Sequence, residues 1–289
     1  MTHLPLAGHS ALVTGVSRRR GIGFAVASRL LTDGASVFIQ HHRPHDEAQP
    51  WGSDDIQALV SELEALRVPG AALGHIAADL RSPGAPADVI AQAARLTGGL
   101  DILVCNHAKS GDDGSILDMT AERLSAMWET NTQSTLLLTR EFAAMHAADP
   151  ATAPARPGDR SRARVPLEAP VGRVFWMTSG QQDGPMRGEV AYAASKAALA
   201  GVTPTVAAEL LDSGIILNTI NPGPVNTGYL DSDSTDRDLG PIDEWRRRTP
   251  FGRFGTPHDP AHLIAWLASD QGAWIVGQVL KSDGGLSLS

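Results

Sequence analysis

Cysteine is almost missing from this 289-residue chain. Cys105 is the only one, so no internal disulfide can form, and the sequence fits a reducing compartment. Long hydrophobic runs are missing too. No apolar stretch reaches the roughly 18 to 20 residues that a membrane-spanning helix needs. The start, Met1-Thr2-His3-Leu4-Pro5, lacks the basic-then-apolar order of a signal peptide. Positive charge is outnumbered: 24 Lys and Arg face 32 Asp and Glu, a formal net charge of -8, which argues against a general nucleic-acid surface. Tyrosine and lysine are scarce as well, with only Tyr192 and Tyr229, and only Lys109, Lys196 and Lys281. Tyr192 and Lys196 nevertheless fall four residues apart. What remains is the expectation of a soluble, cytoplasmic, globular protein, long enough for one α/β domain over residues 1–289.

Short apolar runs alternate with longer amphipathic ones. Ala11-Leu12-Val13, Ser36-Val37-Phe38-Ile39, Ile102-Leu103-Val104, Val174-Phe175-Trp176-Met177 and Ile215-Ile216-Leu217 read as strands buried on both faces, the pattern of a parallel sheet. Between them, helical patterns run from Gly23 to Asp33, Asp54 to Leu66, Ala85 to Leu96, Ala121 to His146 and Tyr192 to Leu211, with Gly34 as the C-terminal stop of the first. This alternation predicts a Rossmann-type, doubly wound α/β fold with helices on both sides of the sheet. Residues 147–171 break the rhythm with five prolines and four arginines and read as a surface insertion.

The first strand runs into Thr14-Gly15-Val16-Ser17-Arg18-Arg19-Arg20-Gly21-Ile22-Gly23, and a helix follows. Glycines let a backbone turn sharply and approach a pyrophosphate, which a helix N-terminus attracts through free N–H groups. Many tight turns use glycine, but a strand before and a helix after favour a dinucleotide site. NAD sites commonly place a carboxylate after the second strand. Here that strand ends in Gln40-His41-His42-Arg43, while Arg18, Arg19 and Arg20 add positive charge nearby. Arginine forks match phosphate geometry, so NADP(H) is preferred over NAD(H); an ordinary solvated basic loop is the competing reading.

The densest chemistry lies between Ser179 and Lys196. Tyr192 and Lys196 are i and i+4, so a helix puts them on one face. A free phenol has a pKa of about 10, and a neighbouring ammonium favours its ionised form, which would make Tyr192 a usable acid and base. Ser179 ends an apolar strand, placed to hydrogen-bond a substrate oxygen.

Taken together, these motifs resemble the short-chain dehydrogenase/reductase family, in particular members like 3-oxoacyl-carrier-protein reductases, over nearly the whole chain. Gly15, Gly21 and Ile22 match the cofactor turn, with Ser17, Arg18 and Arg20 inside it and His41, His42 and Arg43 after the second strand. Asp79 and Leu80 match the adenine contact. Asn106, His107 and Ala108 stand at the Asn-Asn-Ala-Gly position, and Pro222, Gly223, Val225 and Thr227 match the segment holding the nicotinamide amide. Asp283-Gly284-Gly285 matches the C-terminal signature. Asn131, Ser179, Tyr192 and Lys196 match the catalytic set, with Asn131 expected to join through a water. No metal site is implied.

Two departures stand out: five residues separate Gly15 from Gly21 where the family usually has three, and His107 replaces a small residue. The resemblance implies reversible hydride transfer between a nicotinamide and a carbonyl or secondary alcohol of a small, partly apolar substrate. It also implies a homodimer or homotetramer, formed through the helices from Ala121 to His146 and Tyr192 to Leu211, and a substrate lid over residues 228–248. Enoyl reductases of similar fold space their tyrosine and lysine further apart. A hydrolase would need a nucleophile elbow that Ser179 lacks. The rival of a different class is a non-catalytic NADP(H)-sensing regulator, though such proteins often lose the tyrosine or lysine retained here.

Overall fold

Burial on both faces selects continuous β-branched and large apolar runs, and the strands built from them here are all parallel. The computed structural model describes residues 4–147, 166–231 and 239–288. Among these, one sheet holds β1 (Ser10–Val13), β2 (Ser36–His41), β3 (Leu73–Ala77), β4 (Ile102–Cys105), β5 (Gly172–Met177), β6 (Ile215–Asn221) and β7 (Val279–Lys281). Their order is β3-β2-β1-β4-β5-β6-β7. The helices are α1 (Ile22–Thr32), α2 (Arg43–Glu47), α3 (Ile56–Leu66), α4 (Ala85–Thr97), α5 (Ala121–Met127), α6 (Ser134–His146), α7 (Val190–Leu211), α8 (Leu239–Arg248) and α9 (His258–Ala268).

Alternate residues of each strand feed opposite layers. Leu12, Leu103, Val174 and Trp176 join Val89 of α4, Leu138 of α6 and Leu199 of α7 in one core. Val13, Val104, Phe175 and Met177 join Leu30 of α1, Leu59 of α3 and Ile264 of α9 in the other. Trp176 is fully buried, and its indole Nε1–H donates to Thr139 Oγ1 at 2.9 Å. The result is the three-layer doubly wound architecture the alternation predicts. Strand order reverses between β1 and β4, and the carboxyl ends of these two strands therefore frame the crevice where such sheets bind ligands.

Three features depart from expectation. β3 and β7 add strands that no apolar run announces: β3 carries Gly74 and His75 and is only partly buried, and β7 is three residues long. The helix expected from Ala121 to His146 is interrupted by a π-helical turn over Trp128–Gln133, with Asn131 inside it. Pro44 starts the short α2, which lacks any buried residue. Gly34 does stop α1, at φ +103° with its N–H donating to Leu31 O at 3.1 Å. Most of the Pro/Arg-rich insertion (148–165) and the middle of the expected lid (232–238) lie outside the described residues. Among the described residues, no helix is long and apolar enough to cross a membrane.

Candidate active site

The glycine turn is shaped by contacts that only glycine permits. Gly15 has φ +71°, and a Cβ there would sit 2.6 Å from the Cα of His107. A Cβ on Gly23 would meet the Asn106 amide nitrogen at 2.7 Å. That amide donates to Thr14 O at 3.0 Å and Gly15 O at 3.2 Å, which ties the end of β4 to the end of β1. Gln40 stitches the other side: its Oε1 accepts from Gly15 N at 2.9 Å and its Nε2 donates to Ala78 O at 2.6 Å. α1 begins at Ile22 behind Gly21, and no side chain caps it. Its first N–H groups are thus left for a ligand, and the cradle fits a pyrophosphate.

The two extra residues of the turn are folded outward. Gly21 N donates to Arg18 O at 3.0 Å, closing a tight turn, and Asp54 accepts from Arg19 N at 2.6 Å. α1 therefore starts in the ordinary place despite the longer loop.

The expected basic cluster is assembled only in part. Arg18 reaches across the cleft, donating to Thr227 O at 3.0 Å and Thr227 Oγ1 at 3.2 Å, while its Nε lies 3.2 Å from Asp46. Its guanidinium also stacks over Trp51, whose ring packs edge-on against Tyr229. Ser17 hydrogen-bonds Asp46. The other cations are already matched: Arg19 with Asp54 and Glu62, Arg20 with Asp231, and Arg43 with Glu47. His42 lies 4.0 Å from Asp79, which Arg81 holds below the usual carboxylate range. His41 carries no charge for a phosphate, because burial, with His75 beside it, pushes its pKa down to about 4. Leu80 is buried behind Asp79.

His107 is buried within a fixed hydrogen-bond chain. Ser134 Oγ spends its proton on Thr130 O at 2.5 Å, so it accepts from His107 Nε2 at 2.7 Å. His107 Nδ1 then accepts from Thr14 Oγ1 at 2.7 Å. Burial pushes this imidazole down to about 3, and it is a neutral packing residue that joins the glycine turn to the π-turn. Ala108 follows it into the loop toward Lys109.

At the other end of the crevice, the four expected catalytic residues converge. Lys196 is 2% exposed; its Nζ donates to Met177 O at 2.9 Å and lies 5.8 Å from the centre of the Tyr192 ring. Burial lowers the Lys196 pKa to about 8. The Ser179 hydroxyl stands near the Tyr192 phenol and draws its pKa down. The expected lowering of the Tyr192 pKa by Lys196 is not what the structure shows. Burial pushes the phenol up to about 12, opposed by the neighbouring Ser179. Asn131, fully buried, accepts from Lys109 N at 2.7 Å and donates to Lys109 O at 3.1 Å and Ser195 Oγ at 3.0 Å.

The segment after β6 closes the site. Gly223 has φ +62° and leaves no room for a Cβ against Asp283, 2.5 Å away. Asp283 in turn accepts from Gly285 N at 2.9 Å and Ser287 N at 3.0 Å, so the Asp-Gly-Gly signature props Gly223 and Pro222 from behind. Val225 is buried and bridges Gly255. Sequence reasoning missed Gln40, Asp46 and Asp113; they lie in a strand end, in the short α2 and in a loop, with no motif of their own.

A glycine-cradled helix N-terminus beside a half-buried tyrosine and serine and a buried lysine defines the class: an oxidoreductase that works with a nicotinamide dinucleotide. The comparisons with known proteins agree. The family model described as enoyl-(acyl carrier protein) reductase matches residues 15–153 and 160–287. An uncharacterised oxidoreductase of Bacillus subtilis, YjdA, is 33% identical over 95% of each chain. The 3-oxoacyl-[acyl-carrier-protein] reductase FabG of Staphylococcus aureus is 30% identical, covering 96% of this chain and 97% of its own. A short-chain dehydrogenase of Burkholderia cenocepacia, solved in complex with NADP, superposes with a TM-score of 0.75 at 32% identity, over 98% of this chain and 99% of its own. The chain belongs to the short-chain dehydrogenase/reductase family, the NAD(P)-dependent oxidoreductases acting on CH–OH and C=O groups.

Proposed function

We propose that this enzyme transfers a hydride reversibly between NADP(H) and a carbonyl or secondary alcohol of a small, partly apolar substrate, with Tyr192 as acid and base. One observation carries the reading. The Lys196 ammonium, fixed on Met177 O, lies 5.8 Å from the centre of the Tyr192 ring, with Ser179 beside the phenol. Bound there, a nicotinamide supplies or accepts the hydride. Ser179 and Tyr192 polarise the carbonyl oxygen, and Tyr192 gives it a proton. A phenol raised to about 12 is loaded with that proton at neutral pH. Lys196 keeps positive charge beside the developing phenolate at any pH below about 8. Asn131 positions the loop after β4 rather than touching substrate.

Preference for NADP(H) over NAD(H) rests on Arg18, the partly buried turn arginine that reaches Thr227 across the cleft, and on the lack of a carboxylate at the end of β2. The related Burkholderia protein was solved with NADP. A homodimer or homotetramer through α5, the π-turn and α7 is supported by Leu124 and Trp128, which are 43% and 45% exposed beside Ala191 and Ala194. The single cysteine supports a cytoplasmic location.

The test is NADPH oxidation against a panel of ketones, aldehydes and quinones, with an enoyl thioester for the carbon–carbon reduction in the family model's description. Turnover of a carbonyl is expected. Tight NADPH binding with silence across the panel would instead identify a cofactor-sensing regulator.

A further inference from the structure

We infer that Asp113 is a positioning residue for Tyr192, and that the loop after β4 acts as a jig holding the catalytic groups in register. This rests on the reading of Tyr192 as the acid. α7 opens with Val190, so Tyr192 stands in its first turn, where backbone N–H groups have no partner inside the helix. The side chain of its own preceding residue, Glu189, does not cap it. The cap comes instead from about 80 residues away. Asp113 Oδ1 accepts from Ala191 N at 3.0 Å, and Asp113 Oδ2 accepts from Tyr192 N itself at 2.8 Å. Gly114 O accepts from Val190 N at 3.3 Å, so one dipeptide meets the first three N–H groups of the helix.

The same loop is gripped at its other end. Asn131 holds both the N–H and the carbonyl of Lys109, and it reaches Ser195, the neighbour of Lys196. Thr132 Oγ1 donates to Ser195 O at 2.9 Å. Residues 109–114 thus link the π-turn to the helix of Tyr192 and Lys196. The loop is bent to do this: Asp112, at φ +50°, is the only described non-glycine residue in the left-handed region. Such a backbone is strained and persists where surrounding contacts over-determine it.

Asp113 also changes the field at the phenol. A bare helix N-terminus carries about half a positive charge, which would favour phenolate within the first turn; a carboxylate on those N–H groups offsets it. The groups around the Tyr192 side chain are Ser179, Glu189 before the helix, Tyr229 from the segment after β6 and Lys196 on its own helix, while Asp113 meets the Tyr192 backbone N–H. Removing the Asp113 charge therefore moves the Tyr192 ionisation to lower pH.

The experiment compares Asp113→Ala and Asp113→Asn with the full-length enzyme, using NADPH and the carbonyl substrate found in the panel. Asp113→Ala is expected to lower kcat about 100-fold, the scale of a misplaced reacting group, while the NADPH Kd stays within about twofold. Asp113→Asn retains an acceptor and should recover about tenfold of that loss. In both variants the pH limb set by Tyr192 should shift to lower pH. A cap that only stabilises the fold would lower the melting temperature and leave kcat and the pH limb unchanged, and that result overturns the inference. Should Asp113→Ala fail to fold, Asp113→Asn decides by the same two readouts. Tyr192→Phe run alongside separates the failures: a dead Tyr192→Phe with an unaffected Asp113→Ala overturns only the role of Asp113, whereas an active Tyr192→Phe overturns the function itself.

Discussion

The two ends of the cofactor crevice are built on different physics. At the tyrosine end, Asn131 and Lys196 are almost wholly buried and held by backbone carbonyls, amides and hydroxyls. At the adenosine end, Arg19, Arg20 and Arg43 lie at the surface in pairs with four carboxylates, Glu47, Asp54, Glu62 and Asp231. Buried hydrogen-bonded groups keep one geometry because every alternative leaves a polar atom unpaired. Exposed ion pairs contribute little and exchange readily with solvent and salt. The reacting end is therefore rigid and pKa-shifted, while the recognising end can trade one partner for a phosphate.

Substitutions should expose that contrast unequally. The largest effect belongs to the tyrosine end: Tyr192→Phe should lower kcat by about 10³-fold or more, within the range of lost acid–base catalysis, with the NADPH Kd nearly unchanged in a binding titration. Next comes the glycine turn that joins the ends. Gly15→Ala forces a left-handed residue against His107, and should cost about 1–3 kcal/mol in a denaturation curve as well as most cofactor affinity. Arg18→Ala should weaken NADPH about tenfold more than NADH, the scale of one charge-assisted hydrogen bond, with the difference shrinking as salt rises. Arg43→Ala, which breaks an exposed pair with Glu47, should change stability by less than about 1 kcal/mol and leave kcat alone. An Arg43 effect rivalling that of Arg18 would mean the adenosine end is more tightly built than its exposure indicates.

The sheet core and the candidate catalytic residues were legible because each leaves a local trace: an apolar run, a glycine turn before a helix, a tyrosine and lysine one helical turn apart. β3 was not legible, since an edge strand with Gly74 and His75 needs little apolar surface. Nor was the state of the cations. Three consecutive arginines read as a phosphate site, yet Arg20 meets an aspartate 211 residues away, and only folding reveals the match. The phenol shows the same limit from the other side. Spacing places Lys196 near Tyr192, but the Lys196 Nζ turns to Met177 O, and burial then dominates the tyrosine. Asp113 left no trace either, because a helix cap delivered from a distant loop has no spacing rule.

The account stands on Tyr192 being a half-buried acid that holds its proton until the reaction takes it. With two tyrosines in the chain, Tyr229→Phe leaves Tyr192 as the only phenol. Ultraviolet difference titration of that cofactor-free variant should show no phenolate through neutral and mildly alkaline pH, and ionisation near pH 12. Ionisation at or below the free-phenol value of about 10 would contradict it, placing the proton donor somewhere other than this hydroxyl.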